Sequence, residues 1–294
     1  MFLTQSVLNS INQALYRVTG HSHTAQILEA VQGGSINRCY KLKYGKHCFF
    51  VKLNSTVSLP DLFEAESKGL NTLQRATSLK IPTVLGAGNV GKEQYLLLEW
   101  IEPGKVSFKS FEKLAEGLAE MHSQSADRFG LNYSNYMGAL AQYNELKNTW
   151  TEFFITQRLL PQLRLANSRG LLMPSLISQF EDLIKLLPNL ADERPPSLVH
   201  GDFWRGNYII NSDGSAVVID PAISFSNREV DLAMSKLFGG FDERFYSAYH
   251  ACFPLDNDWE HRLPLWNLYP LLVHLNLFGA SYLPQIKTSL KRFL

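Results

Sequence analysis

Cysteine is scarce in this 294-residue chain, neither sign of charge is in excess, and no long hydrophobic run occurs. The three cysteines are odd in number and show no Cys-x-x-Cys spacing, which argues against a disulfide framework and against a zinc site. With 28 Lys and Arg against 27 Asp and Glu, the net charge of +1 argues against a nucleic-acid or membrane-surface partner. The first 20 residues lack the basic start and apolar core of a signal peptide. We therefore expect a cytoplasmic protein that binds neither nucleic acid nor membrane.

The amino-terminal third has the patterning of a small sheet with helices. The 45% hydrophobic content is enough for a sizeable core, and the length favours two lobes. Apolar spacing predicts a helix over 4–16 and a second helix from Asp61. The predicted strands cover 26–31, 37–43, 47–53, 83–85 and 95–101, with a turn from Gly86 to Gly91. Together they predict a five-stranded sheet that Glu102-Pro103-Gly104 ends.

A glycine-rich turn, Gly33-Gly34-Ser35, joins the first and second predicted strands. Backbone without bulky side chains can approach a nucleotide closely and offer N–H donors to its phosphates. A plain hairpin turn explains the same residues. This segment therefore suits a phosphate-covering loop without establishing one.

Lys52 lies inside the otherwise apolar strand Phe49-Phe50-Val51-Lys52-Leu53. Burying its ammonium group would be costly without an anionic partner. Glu66 is the predicted partner, because it falls among apolar residues on the inward side of the following helix; Glu64 is the alternative. A solvent-facing lysine on an edge strand is the competing interpretation.

The chemistry-bearing residues concentrate between Ser197 and Ala222. A polar turn, His200-Gly201-Asp202, is followed by Asn207, and apolar runs around Asn211-Ser212-Asp213-Gly214 predict a hairpin over 208–219. The hairpin should return Asp220 to the neighbourhood of Asp202 and Asn207. One carboxylate could meet a hydroxyl proton, while the amide and the other carboxylate could hold Mg²⁺, so this stretch predicts phosphoryl transfer.

The strings HGDFWRGN, IDPA, REVDLAM and LFGGF resemble the fructosamine kinase (ketosamine-3-kinase) family, within the protein-kinase-like aminoglycoside phosphotransferase superfamily. The resemblance implies an α+β, bilobal protein-kinase-like fold that uses ATP and Mg²⁺. It implies Asp202 as the catalytic carboxylate, Asn207 and Asp220 as metal ligands, and Asp231 as an acceptor for the backbone of the catalytic loop. Hydrogen bonding of Asp231 to amides of its own helix is the alternative.

The resemblance also extends to nucleotide and acceptor contacts. It implies that Gly33, Gly34, Ser35, Lys52 and Glu66 belong to the nucleotide site. Main-chain atoms of Glu99, Trp100 and Ile101 would contact adenine, or this strand would simply lead to a linker. Asn144, Trp150 and Arg158 are weak candidates on the acceptor side, while the aromatics Trp150, Phe153 and Phe154 are expected in the core. Ser35 stands where some members have a cysteine, and Arg205 where small residues are usual.

We expect a nucleotide-binding lobe over 1–103, with its sheet, a helix and the leading helix. A mainly helical catalytic and substrate lobe would cover 104–294. His122 ends a predicted scaffold helix over 108–122 and is expected to cap or pack rather than catalyse. Apolar residues between 258 and 294 predict closing helices of the core.

The resemblance implies phosphorylation of the 3-hydroxyl of ketosamines, as ribulosamine or fructosamine adducts that are free or on protein lysines, with a deglycation role. Two alternatives remain: a kinase for another small alcohol, such as an aminoglycoside or a choline-like compound, and a nucleotide-binding pseudokinase. Trp204 either covers the ketosugar in the acceptor cleft or packs between the loop and the helical lobe. The sequence leaves open the oligomeric state and the preference for ATP over GTP.

Overall fold

The computed structural model describes residues 3–32, 36–105, 108–191 and 193–294. Contacts divide the chain into two compact units. The first contains Met1–Ser110 and Tyr208–Asp220, and the second contains Phe111–Asn207 and Pro221–Leu294. The predicted lobes, 1–103 and 104–294, stay a prediction. Among the described residues, no helix combines the length and apolar character needed to cross a membrane.

The strands are short outside the first unit. They are β1 Gln26–Ala30, β2 Arg38–Tyr44, β3 His47–Ser55, β4 Val84–Val90, β5 Glu93–Glu99, β6 Asn135–Met137, β7 Leu140–Gln142, β8 Ser197–Val199, β9 Tyr208–Ile210, β10 Ala216–Val218 and β11 Ser224–Ser226.

The α-helices lie mostly in the second unit. They are α1 Gln5–Thr19, α2 Leu62–Ala76, α3 Phe108–Ser123, α4 Trp150–Phe153, α5 Leu160–Ser168, α6 Pro174–Leu190, α7 Glu229–Leu237, α8 Glu243–Cys252, α9 Trp259–Trp266, α10 Leu268–Phe278 and α11 Leu283–Leu290. A π-helical segment, Phe154–Leu159, joins α4 to α5, and Arg205–Asn207 and Ala280–Tyr282 form 3₁₀ turns.

The first unit is built on an antiparallel sheet with the strand order β1-β2-β3-β5-β4. This is the predicted five-stranded sheet. Helix α1 buries Val7, Ile11 and Leu15 in a core that Val51 and Leu97 share, because its apolar residues recur at helical spacing. The helix ends at Gly20, whose φ of 70° is the left-handed conformation that glycine adopts readily.

The prediction of a turn from Gly86 to Gly91 is wrong for most of that segment. Strand β4 continues through Gly86, Ala87 and Gly88 to Val90, and it pairs with β5 along this length. A Cβ atom at Gly88 would lie 3.0 Å from the Tyr95 ring, so glycine lets the tyrosine pack flat on the strand. The glycines here mark a close contact and a bulge rather than the end of a strand.

The predicted hairpin is formed by β9 and β10, and it belongs to the first unit. Gly104 donates its N–H to Ile210 at 2.6 Å, and Ser212 donates to Glu102 at 2.9 Å. Lys80 exchanges backbone hydrogen bonds with the other strand of the hairpin. A Cβ at Gly104 would lie 2.1 Å from the Asn211 carbonyl oxygen, so this approach requires glycine.

An aromatic cluster fills the helical second unit. Trp150 contacts Phe154 and Trp266 with ring centroids 5.2 and 5.4 Å apart, and all of these rings are buried. The prediction that Trp150, Phe153 and Phe154 belong to the core is confirmed. Large offset and edge-on aromatic pairs contribute both buried area and orientation to such a core.

One buried ion pair ties α7 to α9. The Arg262 guanidinium donates to both Glu229 carboxylate oxygens, at 2.9 and 2.6 Å, and Trp266 Nε1 donates to the same carboxylate at 2.8 Å. The two charged side chains are largely removed from water. Removing one partner would leave an uncompensated buried charge, which is more costly than losing the pair as a whole.

We expect Arg262→Met to lower the stability of the protein by about 3 kcal/mol, because Glu229 would lose its counter-charge while staying buried. Thermal and urea unfolding measure this change. Lys185→Met is the matched control, since Lys185 pairs with Asp182 at an exposed position of α6. Its melting temperature should stay within about 1 °C of the wild-type value. Equal melting temperatures for the two variants would contradict this assignment.

Candidate active site

Lys52 is a buried cation in the first unit. It lies in β3 and is 2% exposed, and its Nζ lies 2.7 Å from Glu66 Oε1 and 2.5 Å from Asp220 Oδ1. Glu66 faces inward because Phe63 and Leu70 of α2 are buried on the same side of that helix. Glu64, the alternative partner, is exposed and pairs with Lys68 instead. The structure therefore brings Lys52 to Glu66, and it adds Asp220 as a second partner.

Both carboxylates act on the protonation of Lys52. Burial alone would lower the pKa of its ammonium group, but the charges and hydrogen bonds of Asp220 and Glu66 outweigh burial and raise that pKa above its ordinary value. Lys52 is therefore charged at neutral pH. A cation held in this way can exchange a carboxylate partner for a phosphate oxygen without changing its protonation.

Asp220 lies just beyond the end of β10 rather than within a strand. Its φ of 55° makes it one of the described non-glycine residues in the left-handed region, and Pro221 follows it. Such a conformation is costly and is found where surrounding structure enforces it, commonly at functional sites. The Asp220 side chain is 41% exposed, and its Oδ2 accepts no hydrogen bond from the described residues.

Asp202 and Asn207 lie together in the second unit. Asn207 Nδ2 donates to the Asp202 carbonyl at 2.9 Å and to Asp202 Oδ2 at 2.8 Å. The 3₁₀ turn positions the Asn207 side chain for these contacts. The turn is closed by the backbone N–H of Asn207, which donates to the Trp204 carbonyl at 2.9 Å. Asn207 Oδ1 accepts no hydrogen bond from the described residues. That oxygen is the atom of an amide that could ligate a cation.

Gly201 allows the loop to turn tightly before Asp202. Its φ is 83°, and a Cβ there would lie 2.1 Å from the Ala222 carbonyl oxygen. Ala222 in turn donates its N–H to the His200 carbonyl at 2.9 Å. A larger residue at position 201 would push these segments apart, so the approach requires glycine.

Asp231 holds the backbone of the same loop. It is fully buried in the first turn of α7, where its Oδ2 accepts from the His200 N–H at 2.7 Å and its Oδ1 from the Gly201 N–H at 2.8 Å. The contact that the family resemblance implies is therefore present. These bonds satisfy the His200 and Gly201 amides, which precede Asp202, and restrict the loop conformation.

Trp204 follows Asp202 in the loop and is half-buried. Its ring meets Phe238 edge-on with centroids 5.8 Å apart, and a Cβ at Gly206 would lie 2.4 Å from ring atoms of Trp204. The indole is thus packed on one side and partly open to solvent. This placement combines features of both predicted positions, so its role toward an acceptor stays a prediction.

Asn144 occupies a buried network rather than an open surface. Its Nδ2 donates to the Tyr133 carbonyl and to Asn135 Oδ1, and its Oδ1 accepts from Arg158 Nη2 at 2.8 Å. The residue is 1% exposed. The Asn144 amide is thus engaged within the protein, and its contact with a substrate stays a prediction. Arg158 belongs to the same network and donates to Ser224 Oγ at 3.1 Å.

The predicted adenine segment ends β5. The Glu99 carboxylate accepts from Thr83 and pairs with Lys80 at 3.1 Å, and although burial opposes it, these contacts hold the pKa of Glu99 below its ordinary value. Trp100 donates its Nε1–H to Glu102 at 2.7 Å, and Ile101 is buried. The side chains are thus engaged with the protein, and recognition of adenine by the backbone stays a prediction.

Gly33, Gly34 and Ser35 lie outside the described residues.

The donor set suits Mg²⁺. Asn207 Oδ1 and Asp220 Oδ2 are neutral and anionic oxygen atoms without a hydrogen-bond donor among the described residues, and hard divalent cations bind such atoms. Because the Asn207 amide nitrogen donates to Asp202, its oxygen is the amide atom left to bind a cation. Each of these oxygens is therefore of the kind that Mg²⁺ binds, and coordination of one ion by both residues stays a prediction.

A thermostable mutant of the aminoglycoside phosphotransferase APH(4)-Ia, in a ternary complex with ADP and hygromycin B, shares the fold of this chain. Its TM-score is 0.64 at 14% identity, covering 97% of this chain and 99% of that chain. The protein-kinase-like α+β fold class predicted from the sequence is confirmed by this likeness and by the five-stranded sheet.

Sequence relatives point to one family. Residues 7–294 match the family described as fructosamine kinase. A protein of Enterococcus faecium named "probable ketoamine kinase" is 39% identical over 267 residues, covering 90% of this chain and 94% of that protein. A crystal structure of a candidate fructosamine-3-kinase from Haemophilus somnus 129PT has a TM-score of 0.89 at 29% identity, covering 99% of this chain and 98% of that chain. The chain belongs to the fructosamine kinase family and is therefore an ATP-dependent phosphotransferase.

Proposed function

We propose that the protein phosphorylates the 3-hydroxyl group of ketosamines, such as ribulosamine and fructosamine adducts on free amines or protein lysines, and thereby takes part in deglycation. The observation that carries the proposal is the loop around Asp202 in a chain of this family. Asp231 holds its backbone, Asn207 orients the Asp202 carboxylate, and Trp204 presents a partly exposed indole nearby in the sequence.

Asp202 is the proposed acceptor for the proton of the substrate hydroxyl. As the hydroxyl oxygen bonds to the γ-phosphorus of ATP, the bond from that phosphorus to the β,γ-bridging oxygen breaks, ADP leaves, and the hydroxyl proton passes to Asp202. The Asn207 amide fixes one carboxylate oxygen by its 2.8 Å bond, so the carboxylate is oriented before the substrate arrives.

Lys52 is the proposed ligand of the nucleotide phosphates. Glu66 keeps its ammonium group in place at 2.7 Å while Asp220 is replaced as the second partner by phosphate oxygens. Asn207 and Asp220 would then hold Mg²⁺, which neutralises charge on the phosphates when it is bound. Catalysis in this scheme consists of alignment and electrostatic stabilisation.

The acceptor chemistry favours a ketosamine over an aminoglycoside. An aminoglycoside carries several ammonium groups and calls for a markedly acidic pocket, whereas the loop here carries Trp204 and Arg205 beside Asp202. A flat indole suits the apolar face of a ketosugar and its attached amine. A pseudokinase is disfavoured because Lys52, Glu66, Asp202, Asn207 and Asp220 are all present.

An ADP-coupled assay with a panel of acceptors tests the proposal directly. We expect turnover with ribulosamine, fructosamine or both, and ¹H–³¹P correlation spectra of the product should place the phosphate on O3. Choline and kanamycin serve as competing acceptors in the same assay. Turnover of choline or kanamycin without turnover of any ketosamine would replace the proposed substrate class while leaving the fold assignment intact.

Asp202→Asn and Asp220→Asn should each lower kcat by at least about a hundredfold, because each removes a charge without changing side-chain size. Nucleotide affinity should fall more in the Asp220 variant, since Asp202 is proposed to face the acceptor. Steady-state kinetics and calorimetric titration with MgATP measure the two effects. Asp213→Asn, in the turn of the same hairpin, is the control and should keep kcat within about twofold. Near-normal turnover in either active-site variant would refute its assigned role.

Trp204→Ala should raise the KM for a ketosamine by roughly tenfold and leave the KM for ATP within about twofold, because one stacking or cation–π contact is lost on the acceptor side. Trp204→Phe retains an aromatic face and should lose less. Initial rates at saturating concentrations of the second substrate give each constant. Equal damage to both constants would show that Trp204 supports the loop instead of contacting the acceptor.

A further inference from the structure

A chain of hydrogen bonds between buried groups runs behind the catalytic loop in the second unit. Tyr249 Oη lies 2.7 Å from His122 Nδ1, and His122 Nε2 lies 3.1 Å from Asp231 Oδ2. Neither His122 nor Asp231 has any side-chain exposure, and Tyr249 is fully buried. The chain thus ends on the carboxylate that accepts from the His200 and Gly201 amides.

Chemistry fixes the direction of these bonds. An ionised Asp231 carboxylate can only accept, so His122 Nε2 must carry a proton and donate to it. Burial lowers the pKa of His122, with Arg228 nearby acting in the same direction and Asp231 opposing both. With its pKa lowered, the imidazole is neutral at pH 7, so its Nδ1 accepts the hydrogen bond that Tyr249 Oη donates. Arg228 Nη1 lies 3.5 Å from Tyr249 Oη and can donate to that oxygen in the same direction.

Asp231 Oδ2 is shared between the loop and His122. It accepts from His200 N at 2.7 Å and from His122 Nε2 at 3.1 Å, while Oδ1 accepts from Gly201 N at 2.8 Å. A carboxylate needs both oxygens in defined positions to hold two successive amides at once. The hydrogen bond from His122 is the third that the Asp231 carboxylate accepts, and it further restricts rotation of the carboxylate about the Cβ–Cγ bond.

We propose that His122 is a positioning residue for phosphoryl transfer: it orients Asp231, which in turn fixes the loop that carries Asp202. His122 touches neither substrate nor nucleotide in this scheme, and it acts through Asp231 alone. Groups that orient a catalytic residue through another side chain commonly contribute tenfold to a hundredfold to activity. The inference rests on the proposed role of Asp202.

His122→Gln and His122→Met form a matched pair of nearly equal size. The glutamine amide can reach the position of imidazole Nε2 and donate to Asp231, whereas methionine cannot donate. We expect kcat to fall at least about tenfold in the methionine variant and to stay within about threefold in the glutamine variant. The KM for ATP should stay within about twofold in both, because the first unit is unchanged.

Arg262→Met controls for loss of stability alone. This substitution breaks the buried ion pair between Arg262 and Glu229. Glu229 lies in α7 two residues before Asp231 and does not contact the loop through this pair. Assayed at 20 °C, where it stays folded, it should keep kcat within about twofold. A proportional loss of kcat in Arg262→Met and His122→Met would show that both act through stability, and would overturn the proposal.

The wild-type protein supplies a measurement that needs no variant to fold. Long-range ¹H–¹⁵N correlation spectra distinguish the two neutral tautomers of histidine, and we expect His122 to carry its proton on Nε2 with slow solvent exchange. A proton on Nδ1 would overturn the proposal, as would unchanged kcat in His122→Met or equal losses in both His122 variants. Inactive wild-type enzyme on every acceptor would instead count against the proposed function and leave the tautomer result standing.

Discussion

The burial of one ammonium group, that of Lys52, constrains most of the first unit. A cation inside an apolar strand costs several kcal/mol unless carboxylates surround it. Glu66 and Asp220 meet this requirement at 2.7 and 2.5 Å. Glu66 is supplied by α2, whose buried apolar residues turn it inward, and Asp220 by the segment just beyond β10, where it takes a left-handed conformation. The sheet, α2 and the segment after the hairpin thus each contribute one charged group to this cluster.

In the second unit, the main constraint is the ordering of the tight loop that carries Asp202. Gly201 permits the turn, and Asp231 satisfies the amides of His200 and Gly201 that no regular strand or helix would pair. The result leaves Asp202 half-buried, with one carboxylate oxygen bonded to Asn207. Catalysis by alignment requires this kind of prior order, because a carboxylate that must be oriented during the reaction loses much of its advantage.

Local sequence patterns predicted the features that depend on neighbouring residues in the chain. Period and turn chemistry located α1, the sheet and the hairpin, and helical spacing was enough to choose Glu66 over Glu64 as the partner of Lys52. The bond from Lys52 to Asp220 joins residues 168 positions apart, and no spacing rule predicts it. The same holds for Asn144, whose burial depends on Arg158 and Asn135, and for His122, whose partners come from α7 and α8. The glycines of β4 led to the wrong prediction of a turn, since Gly88 lies within the strand and allows close contact with Tyr95.

The central claim is that Lys52 exchanges Asp220 for phosphate when nucleotide binds, while Glu66 keeps its place. The most direct measurement is the crystal structure of the protein with Mg²⁺ and a non-hydrolysable ATP analogue. We expect Lys52 Nζ to remain within hydrogen-bond distance of Glu66, to contact phosphate oxygens and to have released Asp220, whose carboxylate ligates the metal together with Asn207. A complex in which Lys52 still pairs with Asp220 and touches no phosphate would contradict it.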